Sequence, residues 1–120
     1  MGYYNDVAIG MSKNDGVKFL NNYAMEVSDS RLLEKAFELK QYPDCLVFFW
    51  KGVKWSDDDK EVHWIQNFLN TLNDEDKPVA FIRIGENTSD NEEWFCNDDD
   101  DILWKCFSLQ RSISFAPTTA

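Results

Sequence analysis

The sequence predicts an α+β fold, a single domain with a mainly antiparallel sheet and two or three helices on one face, from three observations. Short segments rich in β-branched and aromatic residues, at 6–11, 45–50 and 79–84, have the length and pattern of strands. Longer segments after Ser12 and Ser56 repeat their apolar residues at helical spacing. The chain of 120 residues, 43% hydrophobic and 15% aromatic, has enough apolar material for one core and shows neither linker nor internal repeat, so one domain spans residues 1–120.

Taken in order, residues 6–11 alternate Val7, Ile9 and Met11 with small residues, the pattern of a strand with one buried face. Residues 12–15 offer several N-cap candidates for a helix whose stripe is Val17, Leu20, Tyr23, Ala24 and Val27. A second cap signal at 28–30 precedes another helical stripe, Leu32, Leu33, Ala36, Phe37 and Leu39, that ends before Pro43. Residues 45–50 are continuously apolar, as a central strand covered on both faces requires. Lys51 and Gly52 break that run, and Val53 to Trp55 either turns back as a hairpin or continues past a bulge.

The clearest helix signal comes next. Ser56 or Asp57 caps a segment whose stripe, Val62, Ile65, Phe68, Leu69 and Leu72, ends at the polar stretch 73–78. A strand over 79–84 stops at Gly85 and a loop covers 86–91. Two strands, 93–96 and 102–109, flank a turn at 97–101; 112–115 is a last strand, and the tail from Ala116 frays.

No apolar run approaches the ~18 to 20 residues of a membrane span, and no basic segment followed by a long apolar one opens the chain, which predicts a soluble, cytoplasmic protein. Cys45, Cys96 and Cys106 are odd in number and set among apolar residues, the usage of reduced core thiols. Catalytic chemistry finds little footing. His63 is the single histidine, so no zinc or facial-triad site can be built around it, and nothing local supports a Cys45–His63 dyad. Glycine-rich phosphate loops, nucleophile elbows and zinc signatures are absent. Four successive aspartates after Asn97 cannot all face one calcium ion, and the glycine of an EF-hand loop is missing, so no cofactor or metal is expected.

A resemblance also emerges along the chain. The opening Met-Gly-Tyr-Tyr-Asn-Asp-Val-Ala, Lys54-Trp55, the helix ending over Ile65 to Leu69, and Phe-Ile-Arg-Ile-Gly-Glu at 81–86 resemble a family of small phage and prophage proteins. That resemblance implies an origin on a mobile element and no particular activity. The run Asp98 to Asp101 stands outside the family pattern.

Charge is the feature that bears on function. Residues 1–56 balance seven acids with seven Lys or Arg, whereas residues 57–101 set fifteen acids against Lys60, Lys77 and Arg83; the whole chain carries −10. Solubility needs a magnitude of only ~2 to 8. Asp57, Asp58, Asp59 and Glu61 lie where carboxylates cap a helix and meet its dipole favourably, so structure accounts for them first. Asp74 to Asp76 close the same helix, where negative charge is unfavourable. Glu86, Asp90, Glu92, Glu93, Asp98, Asp99, Asp100 and Asp101 have no base between 86 and 101, and Trp94 and Phe95 sit among them as candidate anchors.

This pattern predicts a non-enzymatic inhibitor or adaptor whose carboxylates occupy a Lys/Arg-rich groove on a host nucleic-acid-handling or defence complex, in the manner of an anti-CRISPR nucleic-acid mimic. The alternatives are an immunity-type protein that neutralises a cationic toxin or nuclease, or a structural or regulatory phage component. Direct nucleic-acid binding is rejected, because a field of this sign repels phosphate, and the sequence leaves the oligomeric state open.

Overall fold

Alternation along β1 (Tyr4–Ser12) organises the molecule. In the computed structural model, which describes residues 4–26, 37–56, 58–85, 90–99, 102–109 and 113–118, this strand is the middle one of five. It is followed by α1 (Lys13–Glu26), β2 (Phe37–Gln41), β3 (Cys45–Lys54), α2 (Lys60–Asp74), β4 (Val79–Ile84) and β5 (Asn91–Cys96). The five strands form an antiparallel sheet in the order β2-β3-β1-β4-β5. The short helix α3 (Ile102–Cys106) and the ribbon of β6 (Phe107–Leu109) with β7 (Ile113–Phe115) complete the fold.

Large side chains point to one face of the sheet and smaller ones to the other. Ile9 lies between Phe48 and Phe81, and together with Val7, Met11 and Trp50 they form the core covered by Phe19 and Tyr23 of α1 and by Ile65, Leu69 and Leu72 of α2. Phe19 is the hub of this layer, with ring centroids 4.9 Å from Phe48, 5.2 Å from Phe68 and 5.4 Å from Tyr23. On the opposite face Ala8, Val47, Ala80 and Ile82 meet Leu103 and Cys106 of α3, Phe107 and Ile113. Gly10 is required there: a Cβ would lie 2.7 Å from the Phe107 ring. The predicted α+β domain is therefore correct, with two helices on one face and the third on the other.

Local chemistry explains the element boundaries. Ser12 caps α1: its Oγ accepts the Asp15 N–H at 3.3 Å, and its hydroxyl donates to the Asp15 carboxylate at 2.9 Å. Buried positions of α1 are Asp15, Gly16, Phe19 and Tyr23, so the stripe is rotated from the predicted one and Val17 and Ala24 face solvent. Asp59, rather than Ser56 or Asp57, caps α2, accepting from the N–H of Glu61 at 2.8 Å and of Val62 at 3.5 Å. β3 continues past a bulge, where Lys51 and Gly52 together face Asp6; Gly52 adopts φ 64 and its N–H donates to the Asp6 carboxylate.

Three further expectations are corrected. Phe37 and Leu39 belong to the edge strand β2, not to a helix; the rest of that predicted helix lies outside the described residues. Residues 102–109 are a helix followed by a strand, because Asp98 caps backbone N–H groups there. Ala116 is tied down rather than frayed: its N–H donates to Cys106 O at 2.7 Å and its carbonyl accepts from the Tyr42 hydroxyl at 3.0 Å.

Cys45 and Cys106 are free thiols with sulfurs 3.1 Å apart in the second core, and Cys96 is a third free thiol. Burial pushes the Cys45 and Cys106 thiols up from their ordinary value of 9.0. Burial, with the two cysteines adjacent, also raises Tyr42, 4% exposed, from 10.0 to about 12.

Two measurements check this description. Leu69, packed against the sheet at 1% exposure, should cost ~2 to 5 kcal/mol when changed to Ala, read by urea denaturation; no loss would displace α2 from the core. Because folding favours the neutral Tyr42 phenol, its contribution is complete below pH 10.0 and is lost as pH rises toward about 12. Tyr42→Phe should cost about 1 kcal/mol at neutral pH and lessen the fall in melting temperature across that window.

Candidate protein-binding face

β5 is an edge strand, and the acidity of the chain follows it. The strand register places the end of β3, the end of β4 and the start of β5 at one end of the sheet, with Asp58 and Asp59 leading into α2 there. The other end holds the close of α2, the start of β4 and the close of β5. α2 spans about 20 Å between them. Among the described residues, the sequence-predicted acids thus fall into two groups at opposite ends of the sheet, with Glu92 and Glu93 along β5.

At the first end structure absorbs most of the charge. Asp59 is a cap, and the Tyr23 hydroxyl donates to the buried Glu61 carboxylate. Arg83 lies opposite Glu92 across the β4–β5 ladder. Its guanidinium lies 3.1 Å from Asp90 Oδ1 and 3.5 Å from Glu92 Oε1, and it donates to Asn5 Oδ1 at 3.0 Å. The base missing from the 86–101 window is therefore supplied from the neighbouring strand, and Asp90 and Glu92 are ion-paired. Asp58 remains exposed.

The second end is arranged differently. α2 closes in a Schellman motif, with Asp76 N–H donating to Asn73 O and Lys77 N–H to Leu72 O, which places Asp76 at φ 58. Asn97, also at φ 58, donates from its side chain to Asn73 Oδ1 at 3.0 Å and to Lys77 O at 3.1 Å. This amide pins the loop after β5 to the loop after α2, so Asp74, Glu75 and Asp76 adjoin Asp98 and Asp99. Lys77 is shared between this group and the core: its Nζ lies 3.4 Å from the buried Asp15 and 3.5 Å from Glu75, and the Asp15 charge chiefly raises its pKa. Asp98 accepts the N–H groups of Leu103 and Trp104, each at 3.0 Å, and so caps the start of α3. Asp74, Asp76 and Asp99 are exposed and have no ion-pair partner among the described residues.

Aromatic anchors flank this acidic edge. Trp94 stacks on Phe81 at 5.6 Å on the α2 side. Phe95 turns to the other side, where it meets Trp104 edge-on at 5.4 Å. Trp104 is 52% exposed and escaped the sequence reading, since its position on a helix one turn past an aspartate cap was hidden inside an apparent strand. Between α2 and the β4–β5 hairpin runs a cleft of about 380 Å³ lined by Gln66, Leu69, Asn70, Phe81, Glu92 and Trp94. A second hollow of about 210 Å³, lined by Trp55, Gln66, Arg83 and Glu92, shares two of those residues.

Of the predicted site residues, Asp57, Glu86, Asp100 and Asp101 lie outside the described residues. Cys45 belongs to the core on the α3 side and His63 is exposed on α2 across the sheet, so the two form no dyad. Among the described residues, no three His, Cys, Asp or Glu side chains converge as metal ligands, and no helix is long and apolar enough to cross a membrane.

The capping role of Asp98 revises what neutralising this loop should do. Asp98→Ala should lower stability by ~0.5 to 2 kcal/mol, whereas Asp99→Asn should stay within about 0.5 kcal/mol of the parent. Paired thermal melts giving equal losses would remove the capping assignment.

Set against known protein families, curated proteins and solved structures, the chain matches none of them.

Proposed function

We propose that this chain is a non-enzymatic inhibitor or adaptor that binds a basic surface on a host nucleic-acid-handling or defence complex, acting in the host cytoplasm as an acidic mimic of nucleic acid in the manner of anti-CRISPR proteins. The observation that carries the reading is the Asn97 clamp, which brings two acidic loops together while Lys77 is held by Asp15 and Glu75. Like charges on adjoining loops repel, and folding alone gains nothing from placing exposed Asp74, Asp76 and Asp99 there. Lys/Arg grooves that bind phosphate through counterion release accept carboxylates held at comparable density. The resemblance of residues 81–86 and of the opening segment to small phage proteins supports the same setting.

The test is affinity capture from bacterial lysate at low and high salt, followed by binding kinetics with the captured enzyme. A triple variant, Asp74→Asn, Asp76→Asn and Asp99→Asn, should slow association by about tenfold at low salt and flatten its salt dependence, because peripheral charges act by steering. A neighbouring toxin as the sole captured partner would favour an immunity role. An unchanged association rate would move the binding surface to the neutral N-terminal half.

A further inference from the structure

We infer that the cleft between α2 and the β4–β5 hairpin receives an arginine side chain from the partner, an inference that rests on the reading of the chain as a binder of basic protein surfaces. One wall of the cleft is aromatic: the half-buried Trp94 stacks on the buried Phe81 with 25° between their planes, and Trp55, tilted 39° from Phe81, lines the adjoining hollow. The cleft lining also carries the amides of Gln66 and Asn70 and the carboxylate of Glu92. Glu92 is 48% exposed and its Arg83 contact is a long 3.5 Å to Oε1. Arg83 itself is only 19% exposed and is held by Asn5, Asp90 and Glu92, so two carboxylates answer its one charge and the site stays net negative.

A guanidinium suits this geometry better than an ammonium. It lies flat on an indole ring, and its five donors fork toward several acceptors at once, whereas lysine brings a compact and strongly hydrated charge. The volume, about 380 Å³, falls within the ~300 to 1,000 Å³ range of ligand sites. The occupant follows from charge complementarity: the wall carries the Glu92 carboxylate, the chain carries −10, and the half-buried Trp94 ring beside it attracts cations.

Fluorescence anisotropy with labelled nona-arginine, nona-lysine and a neutral Gly/Ser peptide tests this directly on the full chain. Nona-arginine should bind more tightly than nona-lysine at physiological salt, and the neutral peptide should not bind. Trp94→Leu should weaken nona-arginine about fivefold, the worth of one cation–π contact. Gln66→Lys should weaken it at least as much, whereas Asn67→Lys, the same charge change one residue along α2 and outside the cleft lining, should change it by less than about twofold. Thermal melts of each variant separate lost binding from lost folding. If Gln66→Lys and Asn67→Lys weaken binding equally and Trp94→Leu leaves it unchanged, the cleft is not the arginine site, although the acidic-face reading survives. Failure of the parent to bind either basic peptide at low salt would overturn both.

Discussion

Burial of β1 on both faces is the constraint on which the rest of this structure depends. A middle strand exposes neither face to water, so each face needs its own cover, and the sequence solves the problem with unequal side chains. Val7, Ile9 and Met11 project toward the helices, while Ala8 and Gly10 face the other way. The helix-side residues are bulky and pack under two helices of 14 and 15 residues. The opposite face is shallow, and a five-residue helix with a short ribbon suffices to close it, provided that Phe107 can approach the backbone at Gly10. Because α3 must lie on that thin layer, its N-terminal amides depend on Asp98 for partners, and one member of the acidic run is committed to structure.

That commitment sorts the acidic residues by cause. Asp59 and Asp98 cap helices, Glu61 accepts from Tyr23, Asp15 and Glu75 hold Lys77, and Asp90 and Glu92 hold Arg83. Each placement is locally favourable, although Glu92 also lines the cleft beside Trp94. Among the described residues, Asp58, Asp74, Asp76 and Asp99 are exposed acids to which no such role falls, and three of these four lie at or beside the segments clamped by Asn97. Asp76 occupies the left-handed backbone region at a helix C-terminus, where glycine fits better and negative charge meets the dipole unfavourably, so two local preferences are set aside at one residue. Departures of this kind tend to gather at functional sites.

How much was legible in the sequence depended on whether the deciding contact was local. α2 was legible because its apolar stripe runs through four turns; its cap was misplaced because residues 56–59 present four candidate acceptors in succession and only backbone geometry selects Asp59. β3 was legible because six consecutive apolar residues fit a strand covered twice. Residues 102–109 misled because a short apolar run carries no period that distinguishes helix from strand, and the deciding group, Asp98, lies outside the run. The ion pairs of Arg83 were invisible for a different reason. They form across a ladder, and a count along the chain stops short of a residue that is next door only once β4 and β5 pair. Trp94 stood out in the sequence as a large ring between acidic clusters, but the cleft beside it needs Gln66 and Asn70 from a helix more than twenty residues earlier.

Edge protection is the strongest purely structural explanation for charge along β5, and it accounts for only part of what is seen. Open sheet edges invite pairing with another chain, and charged side chains on the edge oppose it. The opposite edge, β2, carries Glu38 and Lys40, paired with each other at 3.2 Å, so charge there comes in balanced form. Glu92 and Glu93 supply the same service on β5. Protection of an edge does not extend to the loop after α2, which belongs to no strand, nor does it explain why that loop is fastened to the end of β5 by an asparagine in a left-handed conformation. An edge guarded against its own kind by negative charge is also an edge selective for positive partners, since the repulsion that stops two copies from pairing becomes attraction toward a basic surface. On this argument edge protection and attraction toward positive charge are one property of the acidic edge, and Asp74, Asp76 and Asp99 exceed what edge protection alone requires.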